Sequence, residues 1–288
     1  MNNVDVQLKE QAAQFERALQ RYLPSGESVV AQAMRYSLTG GGKRIRPVLV
    51  QAFCALFGGQ PEDAAALAVA IELVHCYSLV HDDLPCMDND DMRRGQPACH
   101  KQFGEQAALL AGSAMLCEAL LVLHHTTLQA EIRNAAVNIL MRASVDMIEG
   151  QWQDLSYEGA KITREQLEEM NTRKTGALLR AACELGCLAA GANESQADVA
   201  RQYATKLGLL FQLTDDILDV TASSESLGKT AGKDAAAGKN TWVSMLGLEK
   251  AQTLAHELAT AAQQAIAGYA AAGDLLLDLP AWLIERDA

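Results

Sequence analysis

LVHDDLPCMDNDDMRRGQ, residues 79–96, crowds five aspartates and two arginines onto the end of the apolar run IELVHCYSLV. Acid this dense fits neither a core nor a solvated tail. Asp82, Asp83 and Asp88 form a DDxxxxD pattern at the inner end of what reads as a buried helix, where carboxylates need counter-charge from a metal ion or cationic side chains. On a regular helix Asp82 and Asp88 would point about 120° apart, at ~100° per residue. Pro85 ends or distorts the helix just past Asp83, which lets Asp88 fold back. A second stretch, LLFQLTDDILDV, sets Asp215, Asp216 and Asp219 after another apolar run. Here Asp215 and Asp219 are four apart and share a face without any such device.

Around these two stretches the chain reads as helix throughout. Of its 288 residues 49% are hydrophobic and only 5% aromatic, with Ala and Leu dominant, a composition that favours helices over sheets. Helical periodicity predicts segments at residues 4–22, 27–38, 48–56, 64–80, 106–125, 132–149, 164–186, 198–220 and 242–268, with a short helix near Trp282 and no strand. The expected architecture is one all-α domain over residues 1–288. Residues 107–123, AALLAGSAMLCEALLVL, are interrupted by Glu118 and short for a membrane span, so they read as a buried core helix and no stable membrane insertion is expected. Residues 221–240, rich in Gly, Ser and Lys, read as a mobile flap that closes over bound ligand.

The formal charge of −12 argues against a nucleic-acid partner, which needs a basic face. Seven cysteines without a CxxC pair read as reduced core thiols of a cytoplasmic protein, and the first residues carry no secretory pattern. Basic residues are local instead. In TGGGKRIRP three glycines make a turn, Pro47 suits the first turn of the helix that follows, and Lys43, Arg44 and Arg46 stand at that helix's N-terminus, where free amides favour an anion.

Carboxylate oxygens are hard ligands suited to Mg²⁺ or Mn²⁺, and they leave coordination positions for phosphate oxygens. A diphosphate cannot approach the acids unaided, because like unit charges ~4 Å apart repel by ~4 kcal/mol at an effective dielectric near 20. Metal ions must bridge them, and a departing diphosphate leaves a carbocation that needs an apolar, water-poor cavity. Other readings fit less of the chain. LGKT at residues 227–230 lacks the first glycine of a P-loop and a preceding strand. An HD-type metal phosphohydrolase built on His75, His81 and Asp82 leaves Asp83, Asp88 and the whole second cluster surplus.

GGGKRIRP, HCYSLVHDDLPCMDNDDMRRG, RKTGALL, FQLTDDILD, LGK and GKNT, in that order, resemble the short-chain trans-prenyl diphosphate synthases, with the nearest likeness to bacterial farnesyl diphosphate synthases. The resemblance implies an isoprenoid synthase fold, a helical barrel around a central apolar cavity, and a homodimer. It implies Mg²⁺, three ions per active site with diphosphate bound and Mn²⁺ as the alternative, held by Asp82, Asp83, Asp88, Asp215, Asp216 and Asp219. Arg93, Lys174, Lys229 and Lys239 would hold the allylic diphosphate. Lys43, Arg46, His75 and Arg94 would hold isopentenyl diphosphate. Thr175 and Gln212 would set oxygen dipoles beside the developing cation. Tyr77 and Ser78, five and four residues before Asp82, would set chain length, the aromatic ring being the mark of enzymes that stop at fifteen carbons. Geranyl or geranylgeranyl synthesis is the alternative within the family. A terpene cyclase would carry a different second acid motif and no need of GKRIRP, and a silent subunit would not need intact acids and bases.

Overall fold

The computed structural model describes residues 3–124, 126, 128–221, 238–271 and 274–286. Thirteen α-helices are formed by the described residues: α1 Asn3–Leu19, α2 Val29–Thr39, α3 Ile45–Leu56, α4 Pro61–Asp82, α5 Cys99–Phe103, α6 Glu105–His124, α7 Ala130–Ser156, α8 Arg164–Asn171, α9 Ala177–Ala189, α10 Glu194–Thr221, α11 Trp242–Leu246, α12 Leu248–Ile266 and α13 Leu275–Glu285. The strands β1 Met92–Arg93 and β2 Gln96–Pro97 form a small antiparallel hairpin. Among the described residues the expected absence of strands fails only at this turn, which is too short to leave an alternating pattern.

At the centre stands α4. It is apolar on all sides, a composition that only a fully surrounded helix can satisfy, and it packs against α3, α6 and α9. Burial runs along nearly its whole length, from Ala64 to Val80. A capping box between Gln60 and Asp63 starts it, with Pro61 in its first turn. Around it, α9 packs on α3, α7 and α10, and α10 packs on α12.

Three boundaries differ from expectation for identifiable reasons. Helix α3 starts at Ile45, so Pro47 is its third residue. A proline is tolerated anywhere in the first turn, whose N–H groups have no helical partner. The segment at 164–186 is broken by a π-helical turn at Thr172–Gly176, which apolar periodicity does not register. The segment at 242–268 divides at Gly247, whose φ of +80° ends α11. The run at 107–123 lies within α6 but is only partly core, since Leu109, Leu110 and Leu121 are about half exposed. By length and composition alone, α4 and α6 are each long and apolar enough to cross a membrane. Most of the 221–240 flap, Lys229 included, falls outside the described residues.

Candidate active site

Both acidic stretches end long helices. Asp82 is the last residue of α4, and Asp215 and Asp219 fall in the last two turns of α10. The carbonyl ends of helices carry partial negative charge, so carboxylates there add to an existing field and both positions call for cations. Past α4 the chain turns back as Pro85 requires: the Asp88 amide donates to the Asp82 carbonyl at 2.8 Å. Asp82, Asp88, Asp215 and Asp216 then line a single cavity of about 380 Å³, together with Arg93, Lys174, Gln212 and Lys239. The sequence separates these residues by up to 157 positions, and the fold brings them to one place.

The acids within it are not equivalent. Burial pushes the Asp82 carboxyl up to about 6, against the pull of Lys174. Asp83 is turned away: both of its oxygens accept from Arg93 Nε, at 3.0 and 3.2 Å, and Arg93 Nη2 adds a further bond. The sequence assigns Asp83 to a metal ion and Arg93 to the allylic diphosphate; in the structure the two side chains are paired with each other. Asp219 does not line the cavity, and its Oδ1 is buried without a hydrogen-bond partner among the described residues. Asp216 is held at both oxygens, by Gln212 Nε2 at 2.9 Å and by the Trp242 amide at 2.8 Å. Asp215 is bound by Arg286, at the chain's other end, which also donates to Thr214 Oγ1 at 3.2 Å and stacks 4.7 Å from the Phe211 ring.

Lys174 lies on the π-turn. Such turns insert one extra residue and often mark functional positions. A Cβ at Gly150 of α7 would stand 2.2 Å from the Lys174 amide nitrogen, so only glycine admits this close passage. Lys174 Nζ donates to Asp154 Oδ2 at 2.5 Å. Lys239 Nζ reaches the same Asp154 oxygen at 3.1 Å and Asp88 Oδ1 at 3.0 Å. Burial acts to raise the Asp154 carboxyl, but the two lysines outweigh it and hold it below the usual range. Sequence reasoning missed Asp154. Its only signal was an acid within the amphipathic run GQWQDL, which also describes a solvated helix face. One turn residue on, Thr175 donates to Gln212 Oε1 at 3.0 Å, and Gln212 in turn holds Asp216.

The basic turn lies at the N-terminus of α3, where the helix field has the opposite sign. Arg46 Nη1 donates to His75 Nε2 at 3.3 Å. Burial and the neighbouring Arg46 hold His75 well below the ordinary histidine range, so it is neutral at pH 7. Arg94 is close enough to act on both electrostatically. Lys43 Nζ lies 5.8 Å from the Trp282 ring, and burial and Arg286 together push it down to about 8. Arg44, in the same motif, is buried in ion pairs with Glu16 and Glu72 and does not face the cavity.

A second cavity, of about 510 Å³, adjoins the acidic one and shares Leu79, Asp82, Met87 and Lys174 with it. Tyr77, Met147, Ile148, Trp152, Leu155 and Leu178 make it mostly apolar, with Arg46 and His75 on its wall. Tyr77 is 5% exposed and meets His81 edge-on at 5.5 Å. Ser78 donates to the His75 carbonyl at 2.9 Å, so its polar group is satisfied within the helix.

Residues 27–272 match the family model described as polyprenyl synthetase. The chain belongs to the polyprenyl synthetase family. Among curated members, this polyprenyl synthetase is 43% identical to a chloroplastic geranylgeranyl pyrophosphate synthase of Capsicum annuum, over 93% of this chain and 74% of that one. It is 44% identical to geranylgeranyl pyrophosphate synthase 3 of Arabidopsis thaliana, over 90% and 74%. Its fold is the all-α isoprenoid synthase fold of solved family members. An FPP/GFPP synthase of Zymomonas mobilis superposes with a TM-score of 0.86 at 34% identity, over 98% of this chain and 99% of that one. A geranyltransferase of Helicobacter pylori, solved with magnesium and isoprenyl diphosphate, does so with 0.86 at 32%, over 99% and 97%.

The donor set of this polyprenyl synthetase fits Mg²⁺. The donors are carboxylate oxygens, and among the described residues no three Asp, Glu, His or Cys side chains form a cage able to hold an ion alone. Mg²⁺ is ordinarily bound in that way, by one or two carboxylates with substrate phosphates and water completing the octahedron. A pH dependence follows from Asp82. Its folded value, about 6, lies above the ordinary 3.8. The neutral form therefore favours the metal-free fold, a contribution complete below pH ~4 and lost as pH rises through ~6. A cation requires the carboxylate. Binding of Mg²⁺ with a diphosphate analogue at pH 5.5 should release a proton and be weaker than at pH 7.5. Calorimetry in two buffers of different ionisation enthalpy counts the protons released, and the Asp82→Asn variant should release fewer than the wild type, the remainder coming from the diphosphate itself.

Proposed function

We propose that the protein is a chain-elongating prenyl diphosphate synthase that joins isopentenyl diphosphate to dimethylallyl and then geranyl diphosphate, releasing farnesyl diphosphate. The observation that carries this is the pair of adjoining cavities: one acidic and lysine-bearing, the other apolar, with a separate basic cluster on the wall of the second. Asp82 and Asp88 from one helix end, and Asp215 from the other, hold Mg²⁺ against the allylic diphosphate. When bound, the ions neutralise the leaving diphosphate as its carbon–oxygen bond breaks. Lys174 and Lys239, kept in place by Asp154, grip the same diphosphate directly; Lys229, the third lysine of the sequence reading, lies outside the described residues. Thr175 and Gln212, locked to each other, turn oxygen lone pairs toward the allylic cation. Arg46, His75, Arg94 and Lys43 bind the second diphosphate, which places its double bond beside the cation. The new carbon–carbon bond forms there, and loss of a proton restores neutrality.

Consumption of isopentenyl diphosphate should require an allylic diphosphate and Mg²⁺ together, and consumption with either omitted would contradict this reading. The basic cluster has its own test. Arg46→Ala and His75→Ala should each raise KM for isopentenyl diphosphate by about tenfold or more, a loss on the order of 1.5–3 kcal/mol for a hydrogen bond to a charged group. KM for geranyl diphosphate should change by less than about threefold. Equal losses for both substrates would overturn the division of the two sites.

Farnesyl as product rests on Tyr77 at the apolar cavity. A second reading, geranylgeranyl diphosphate, is supported by the curated relatives at 43–44% identity. A homodimer of cytoplasmic location is part of the proposal. Leu109, Leu110 and Leu121 of α6 and Val145, Ile148 and Trp152 of α7 are 46–66% exposed, an apolar face of the kind that marks an interface. Ile148 and Trp152 also line the apolar cavity, so a second copy seated there would seal it from water. Light scattering should give twice the mass of 30.9 kDa, and a monomer at micromolar concentration would count against it.

A further inference from the structure

We propose that Glu72 is a positioning residue for the isopentenyl diphosphate site, aiming Arg94 through a buried ion-pair relay that also fixes the glycine turn. The inference rests on the substrate assignment above. Glu72 lies on α4 one turn before His75 and is 1% exposed. Its carboxylate cannot touch a diphosphate, and its charge would repel one. It acts instead on the cations around it. Oε1 accepts from Arg44 Nη1 at 2.6 Å and lies 3.6 Å from Arg94 Nη2.

The two arginines are used differently. Arg44 is spent: Nε donates to Glu16 at 2.7 Å, Nη2 to the Leu38 carbonyl, and the guanidinium stacks 5.5 Å from Phe15. It anchors the turn that carries Lys43 and Arg46. Arg94 is held to Glu72 by charge at a distance beyond hydrogen bonding and also meets the Cys76 thiol, which leaves the other donors of its guanidinium for phosphate. The guanidinium also lies against the turn, since a Cβ on Gly42 would stand 2.9 Å from it. Both arginines sit in the left-handed region, with φ of +51° and +52°. Such backbone is costly for a side-chain-bearing residue and persists only where the surroundings over-determine it.

A site built of several cations also repels itself, and a buried anion beneath it offsets that repulsion. Burial pushes Arg46 down to about 10, and Glu72 is the strongest influence acting against that burial. Glu72 Oε2 is buried with no hydrogen-bond partner among the described residues. The carboxylate is therefore kept for its charge and for the two arginines rather than for a saturated hydrogen-bond network. Glutamine is the nearest replacement in shape that removes this charge.

The test is a double-mutant cycle on the full chain with Glu72→Gln, Arg94→Gln and the pair, each substrate being varied at saturation of the other. Glu72→Gln should raise KM for isopentenyl diphosphate about tenfold, with kcat changed less than about threefold and KM for geranyl diphosphate within about twofold. In the Arg94→Gln background the same change should add less than about twofold, because its effect is transmitted through Arg94. Glu72→Asp, which keeps the charge, should recover part of the loss. Should Glu72→Gln fold poorly, Glu72→Asp, which keeps the buried charge but draws it back from Arg94, is read in its place and should show the same selective rise in KM for isopentenyl diphosphate, smaller in size. An undiminished effect of Glu72→Gln in the Arg94→Gln background, or equal rises for both substrates, overturns the positioning role. An Arg94→Gln enzyme with unchanged KM for isopentenyl diphosphate overturns the substrate assignment and this inference with it.

Discussion

Alanine at Asp82 or at Asp215 is expected to lower turnover by about three orders of magnitude or more, equivalent to ~4 kcal/mol of transition-state stabilisation. The two residues lie at or near the ends of different helices, α4 and α10, and both line one cavity. On the proposed assignment, removing either would take a protein ligand from the metal ions and with it part of the charge compensation for the departing diphosphate. The fold should survive both changes. Asp82 is held above the ordinary carboxylate range by its burial, so loss of its charge relieves the metal-free protein. Asp215 is partly exposed but its partner Arg286 is buried, so Asp215→Asn, which keeps an acceptor for that guanidinium, is the control that separates loss of charge from loss of fold. Full activity of either variant, or of the wild-type enzyme in excess chelator, would refute the metal assignment. Asp83→Ala should act differently, by freeing Arg93 and disturbing the β1–β2 hairpin, with a smaller loss.

Tyr77→Ala should shift the product from fifteen carbons to twenty or longer. On the proposed assignment an elongating chain would grow away from the diphosphate site along α4, and Tyr77 lies five residues before Asp82, about 7.5 Å along the helix axis. Its ring lines the apolar cavity beside Ser78, whose small hydroxyl is already bonded within the helix. Truncation removes the largest side chain at that level and lengthens the space available to the hydrocarbon tail. Metal dependence and KM for isopentenyl diphosphate should stay within about threefold, because Tyr77 touches neither diphosphate. Product chromatography reads the outcome. An enzyme that still stops at fifteen carbons would place the floor elsewhere. A wild-type enzyme that already yields twenty carbons would favour the geranylgeranyl reading.

What the sequence disclosed and what it hid divide along physical lines. The central helix, its stop at Asp82 and the return of Asp88 were legible because Pro85 and an unbroken apolar run are local signals. The pairing of the two acidic stretches was legible because buried carboxylates have few solutions. Adjacent residues such as Asp82 and Asp83 could not be told apart, since their directions depend on where the β1–β2 hairpin delivers Arg93. The π-turn at Lys174 left no trace in apolar periodicity, though Gly150, where a Cβ would stand 2.2 Å from the Lys174 amide nitrogen, is its necessary accompaniment. Arg286 is 71 residues from Asp215, and no local pattern marks it as a partner. Arg44 and Arg46 look alike in GKRIRP, yet one is buried against Glu72 and the other reaches His75.

The central claim is that this chain makes carbon–carbon bonds between two diphosphate substrates, and incubation of the purified protein with isopentenyl and dimethylallyl diphosphates in the presence of Mg²⁺, followed by chromatography of the dephosphorylated products, tests it most directly. The expected result is farnesol as the main alcohol, formed only when all three components are present. The absence of any elongated product under those conditions would contradict the account.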